Sequence, residues 1–161
     1  MYSLSNNISK YIFFIISILI LIIQVNIPSI VIYENNKINL DLILLFLTFL
    51  VFINNSFKII FVAFFLGIFQ DIIISNEQLG LLSFLKSFTV YLLLGIRGYD
   101  SIWSKAVKLS YIFFVYFLHF LIYYLVIHDG VYFMIFFISF IQSLVCFVIY
   151  YFFDKFFFNI K

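Results

Sequence analysis

The strongest constraint on this chain is how little interrupts its apolar runs. Residues 11–32, 59–75, 79–96, 109–127 and 131–153 are almost wholly hydrophobic and are separated by short polar breaks. A run of about 20 such residues covers roughly 30 Å of hydrocarbon, and in lipid a helix is the open-chain conformation that satisfies its own backbone. Residues 42–53 add a shorter run, roughly 18 Å as a helix at about 1.5 Å per residue. Taking in residues 38–41 and letting the bilayer thin locally brings it toward a crossing. The expected fold is an all-α integral membrane protein. It is one domain over 1–161, a compact bundle of about six transmembrane helices at 11–32, 40–53, 59–75, 79–96, 109–127 and 131–153. The first run is long for a signal peptide and no small-residue cleavage site follows it, so it is expected to be retained.

Composition agrees. The chain is 66% hydrophobic and 10% charged, with a mean hydropathy of +1.24, far from the makeup of a soluble domain. A formal net charge of +2 is too small to draw a nucleic acid. One cysteine, Cys146, allows neither an internal disulfide nor a thiolate cluster, and His119 and His128 lack metal-ligand spacing. No metal or cofactor is expected.

The distribution of charge sets an orientation. With six crossings and both termini cytoplasmic, Lys10, Lys58, Arg97, Lys105, Lys108, Lys155 and Lys161 all lie inside and Lys37 lies outside, as the positive-inside rule asks. Asp41 opens the second segment, where a carboxylate favours a helix N-terminus.

Polar residues concentrate in the hairpin formed by segments three and four. Ala63, Gly67 and Asp71 recur at i, i+4 and i+8 on one face, while Gly80, Ser83, Ser87, Tyr91 and Gly95 make a matching stripe. Charges inside a bilayer are costly and are usually paired, so Asp71 and Lys86 are expected to pair, with Gln70 as a third member. Candidate helix-packing or partner-docking residues are therefore Asp41, Ala63, Gly67, Gln70, Asp71, Gly80, Ser83, Lys86 and Ser87. Arg97, Lys105 and Lys108 form a basic cytoplasmic loop able to attract anionic headgroups or a partner. Ser139, Gln142, Ser143 and Cys146 make a further small and polar face, and His119 reads as a hydrogen-bonded core residue. No phosphate-cradling loop, metal-binding histidine pair, nucleophile elbow or catalytic carboxylate pair is present, so the chain reads as a non-enzyme.

Phe65-Leu66-Gly67-Ile68-Phe69-Gln70-Asp71, then Leu79-Gly80-Leu81, then the apolar run closing at Gly95-Ile96-Arg97, together with Asp41-Leu42-Ile43-Leu44-Leu45, resemble the rod shape-determining protein MreD family along the whole chain. The resemblance implies a subunit of the bacterial cell-elongation machinery in the cytoplasmic membrane. It also implies an MreC-like single-span partner and, through it, links to an MreB-like filament and to the peptidoglycan synthase RodA with its transpeptidase. An alternative is the substrate-binding component of an energy-coupling-factor vitamin transporter, whose fold such proteins are thought to share. That component usually carries an Ala-x-x-x-Ala surface on its first helix, whereas residues 11–32 contain no alanine.

Overall fold

The computed structural model describes residues 15–27, 30–33, 36–38, 40–53, 57–74, 79–99, 102–127 and 132–158. The expected beginning of the first span at residue 11, the turns at 75–78 and 128–130, and Lys10 and Lys161 lie outside them. Among the described residues, six helices carry the fold. They are α1 (Ile15–Asn26), α2 (Leu42–Ile53), α3 (Lys58–Ile74), α4 (Leu81–Gly98), α5 (Lys105–Ile127) and α6 (Tyr132–Phe153), which runs into a π-helical turn at Asp154–Phe158. Two of the helical stretches, Lys105–Ile127 and Tyr132–Phe156, are long and apolar enough to cross a membrane, while α1, α2 and α4 are shorter apolar helices.

The first two segments differ from expectation. Instead of running as helix to residue 32, the chain leaves α1 at Asn26 and forms an antiparallel pair of strands, β1 (Ile30–Tyr33) and β2 (Asn36–Ile38). The reason is local. The Asn26 side chain donates to the Ile22 carbonyl in the last turn, a proline at 28 disfavours helix in the residue before it, and Ile-Val-Ile-Tyr is β-branched and aromatic. Ile30 pairs with Ile38 and Val31 with Lys37, with an irregularity before Tyr33. Ile38 belongs to β2, Leu40 and Asp41 lie outside the helix, and α2 begins only at Leu42.

α2 starts where it does because Asp41 caps it. The carboxylate Oδ1 accepts the Leu44 N–H at 2.9 Å, and the Asp41 carbonyl accepts the Leu45 N–H, which together satisfy donors that a helix start leaves open. Ile43, Leu44, Leu45, Leu47, Thr48, Leu50 and Val51 are all buried. α2 is thus buried over most of its circumference, with Leu42, Phe46, Phe49 and Phe52 half-buried and Ile53 exposed at its end, as suits a helix with no polar face. It packs on α3 and α4, α4 packs on α5, and α5 on α6. Its side chains join Val90, Leu93, Ile112, Tyr116 and Tyr150 in one core.

α3 and α4 come into backbone contact. A Cβ added at Gly67 would lie 2.3 Å from the Ser83 Cα, so the two chains touch where Gly67 leaves room, the role small residues play at closely packed helix pairs. At the turn into α4, Gly80 has φ +101°, a left-handed conformation that glycine adopts without strain.

The exterior is apolar. Phe61, Phe65, Phe69, Phe84, Phe133, Phe136, Phe137, Phe152 and many aliphatic side chains are exposed, whereas Asp41, Lys86, His119, Thr48, Thr89, Ser139, Gln142 and Ser143 are buried.

Substituting Gly67→Ala should lower stability by about 1–3 kcal/mol through overpacking, read as a drop in melting temperature of the purified protein in detergent. Gly95→Ala, where an added Cβ meets nothing within 4 Å, should be neutral or stabilising by up to about 1 kcal/mol. Equal effects at the two glycines would contradict the close-approach role of Gly67.

Candidate functional site

Asp41, at the start of α2, and Lys86, in the second turn of α4, meet in the core. The Lys86 ammonium donates to both carboxylate oxygens, 2.7 Å from Oδ1 and 2.5 Å from Oδ2. The Lys86 side chain is 0% exposed and that of Asp41 7%. The pair joins segments 45 residues apart. An unpaired charge at this depth is very costly, and a bidentate contact with further hydrogen bonds is what makes such burial tolerable.

Neutral groups complete the cluster. Thr89, one turn beyond Lys86, donates its hydroxyl proton to the Leu85 carbonyl at 2.7 Å, and its Oγ1 lies 2.9 Å from His119 Nδ1. With that proton committed to Leu85, Oγ1 accepts from the ring, which places the hydrogen of a neutral His119 on Nδ1. Nε2 then faces Asp41 Oδ2 at 4.0 Å, beyond hydrogen-bond range. Further along α2, Thr48 accepts from the Tyr116 phenol at 2.8 Å and donates to the Leu44 carbonyl. α2, α4 and α5 are thereby tied through polar groups within an otherwise hydrocarbon core.

α1 is clamped to the same point by Gln24. Its Nε2 donates to the Leu40 carbonyl and its Oε1 accepts the Leu42 N–H, both at 2.7 Å. Sequence reasoning misses Gln24, although an amide inside an apolar run is itself a signal that a polar partner lies opposite.

The expected Asp71–Lys86 pair is not the arrangement found. Asp71 turns to the start of α4. Its Oδ2 accepts the N–H groups of Gly80 at 3.0 Å and Ser83 at 3.2 Å, and its Oδ1 accepts that of Leu82 at 3.1 Å. The physical reason is competition. A helix N-terminus offers several donors together with the positive end of the helix dipole, and α3 delivers Asp71 directly to it, while Lys86 lies within reach of Asp41. Gln70 is not a third member either: it is buried, and its Oε1 has no hydrogen-bond partner among the described residues.

The expected docking stripes are used within the chain. Ala63 is fully buried, Gly67 lies against Ser83, the Ser83 hydroxyl donates to the Gly80 carbonyl, and the Ser87 hydroxyl donates to the Ser83 carbonyl. On α6, Ser139 and Ser143 bond to their own helix, Gln142 accepts from the Tyr124 phenol, and Cys146 is buried. The expected basic loop residues sit on helix ends: Arg97 in the last turn of α4, Lys105 and Lys108 in the first turn of α5. Lys105 pairs with Asp154 at 3.7 Å between α5 and the end of α6.

The described residues also form open recesses. A groove of about 780 Å³ runs between α1 and α3, lined by Leu21, Ile22 and Val25 on one side and Phe65, Leu66 and Phe69 on the other. A smaller pocket of about 370 Å³ lies among Phe57, Tyr91, Leu92, Leu94, Gly95 and Tyr111. Among the described residues, no group of three or more His, Cys, Asp or Glu is placed to hold a metal.

Comparison of the chain with protein-family models, curated proteins and solved structures gave no match.

The charge pair should reveal itself in a double-mutant cycle. Asp41→Asn, which keeps a capping oxygen, and Lys86→Met should each cost about 3–5 kcal/mol by stranding a buried charge. The double variant should lose less than their sum by about 1–3 kcal/mol. Asp71→Ala should cost about 2 kcal/mol as a lost cap and combine additively with Lys86→Met, as measured by thermal or denaturant unfolding in detergent. Strong coupling of Asp71 to Lys86 with none to Asp41 would reverse the assignment.

Proposed function

We propose that the chain is a non-enzymatic scaffold subunit embedded in the bacterial cytoplasmic membrane. It belongs on this reading to the cell-elongation apparatus and binds an MreC-like single-span protein. The observation that carries the membrane part is the inverted partition of side chains: phenylalanines outward, an ion pair and its hydrogen-bonded neighbours inward. Water-soluble monomers rarely expose large contiguous apolar patches, whereas a lipid-facing surface needs them. All six helices then act as crossings or partial crossings, with Lys58, Arg97, Lys105 and Lys108 on the cytoplasmic side.

The scaffold part is supported by how the motif residues are used. Asp41 and Asp71, the carboxylates carried by the two resemblance motifs, each hold one helix start in place. Residues engaged in this way maintain a shape rather than handle a substrate. A vitamin-binding component asks for polar groups turned toward a cavity, but here Asp41 and Lys86 satisfy each other and Asp71 satisfies backbone donors. With the small-residue stripes filled from within, the face offered to a single-span partner is the apolar groove between α1 and α3.

Depleting the protein in a rod-shaped host without a paralogue should round the cells. A photo-crosslinking residue placed at Phe65, in the groove, should capture a single-span membrane protein, while one placed at Val148, exposed on α6, should not. Unchanged shape together with co-purification of paired ATPases and a coupling subunit would replace this reading with the transport one.

A further inference from the structure

The junction between α4 and α5 carries three rings in contact. Tyr99 lies just past the end of α4, Trp103 just before the start of α5, and Tyr111 within α5. The Trp103 ring stacks on that of Tyr99, with centroids 5.4 Å apart and planes 12° apart, and meets the Tyr111 ring at 5.4 Å and 59°. The backbone holds this arrangement, because the Tyr99 carbonyl accepts the N–H groups of Ile102 at 2.9 Å and Trp103 at 3.0 Å. Trp103 is half-buried and packs with Tyr111 against the hydrophobic core, and the Tyr111 hydroxyl donates to the Leu92 carbonyl. The rings are therefore presented on a fixed base, while Tyr99 remains 53% exposed.

The exposed neighbours differ in kind on the two sides of the stack. Two residues beyond Trp103, the Lys105 side chain is 52% exposed and its ammonium lies 3.7 Å from the Asp154 carboxylate, a half-exposed charge that belongs in water or among headgroups rather than in hydrocarbon. At the junction itself, Ile102 is 75% exposed, and further along α5 the Val107 and Phe114 side chains are exposed as well. Phe114 lies about 14 Å along the helix from Lys105, at a depth where an exposed phenylalanine suits lipid. The stack sits at the changeover from exposed charge to exposed apolar side chains. Indole and phenol groups have an apolar body and a polar tip, so they favour a layer that is apolar on one side and wet on the other.

We infer that the Tyr99–Trp103–Tyr111 stack is a lipid-binding surface that seats the α4–α5 end of the bundle in the glycerol and headgroup layer of the adjacent leaflet. The inference rests on the membrane reading above and adds a depth to it: the boundary of the hydrocarbon passes through the ring stack, with Lys105 and Asp154 on its wet side and Phe114 on its lipid side.

Trp103 is the only tryptophan in the chain, so its fluorescence reports the depth of the stack directly. The protein is reconstituted into phosphatidylcholine vesicles carrying a nitroxide either at the top of the acyl chain, next to the glycerol, or near the chain end. The shallow nitroxide should quench Trp103 several-fold more effectively than the deep one. Leu144→Trp in a Trp103→Phe background, at an exposed position inside α6, should show the reverse order. Equal quenching of Trp103 by the two labels, or stronger quenching by the deep one, overturns the proposed depth. Absence of quenching of Trp103 by either label while the Leu144→Trp variant is quenched overturns the lipid contact and leaves the membrane reading standing. Failure of both proteins to float with the vesicles, with no quenching of either, overturns the membrane reading itself.

Discussion

Lys86 has no contact with solvent, and its ammonium is held by the two oxygens of a carboxylate that also caps a helix. Either charge alone would carry a desolvation penalty of several kcal/mol, a large part of the roughly 5–15 kcal/mol that keeps an ordinary domain folded. The pair therefore acts as a condition on the rest of the bundle: α2 can be enclosed only if α4 brings Lys86 to its first turn, and α4 can bury Lys86 only if Asp41 is waiting there. Gln24 adds α1 to the same condition by bonding to the backbone on either side of Asp41. His119 and Thr89 bring in α5 and its contact with α4.

The position of α4 is fixed a second time, at its own N-terminus and along its face. Asp71 collects three backbone donors there, and Gly67 admits the Ser83 backbone to contact. These two constraints lie on α3, one turn apart, and they lock the depth of α4 against α3. Since Lys86 lies one turn beyond Ser83, locking the depth also sets the height at which the ammonium meets Asp41. Packing and electrostatics thus specify one register between the two helices, the best-attested use of a buried polar contact.

Much of this is readable from the residues. The order and approximate limits of α3 to α6 follow from the apolar runs, the start of α2 from Asp41, and the α3–α4 approach from the spacing of Ala63, Gly67 and Asp71. The partner of Lys86 is not readable, because sequence proximity favours Asp71 while the actual partner is 45 residues away. The pairing depends on a helix-start geometry that diverts Asp71 to backbone donors, and a hydrophobicity pattern carries no record of that. The β1–β2 hairpin is hidden for a different reason. An apolar stretch of Ile, Val and Tyr reads equally as helix or strand, and a proline near the end of a long apolar run suggests a kink, whereas α1 stops at Asn26, two residues ahead of it.

The shortness of α2 becomes intelligible from the same contacts. Its 12 residues make roughly 18 Å of helix, well below the roughly 30 Å of a hydrocarbon core. On the membrane reading proposed above, a helix that starts short of the surface would expose unsatisfied donors to lipid, at a cost of about 2–7 kcal/mol for each unpaired polar group. Here the Leu42 N–H goes to Gln24, the Leu44 N–H goes to Asp41, and the charge of Asp41 is answered by Lys86. Protein groups replace the water that the helix start would otherwise need. A short, uncharged, largely enclosed helix can then sit within the bundle, with the longer α5 and α6 packed in sequence beyond α4.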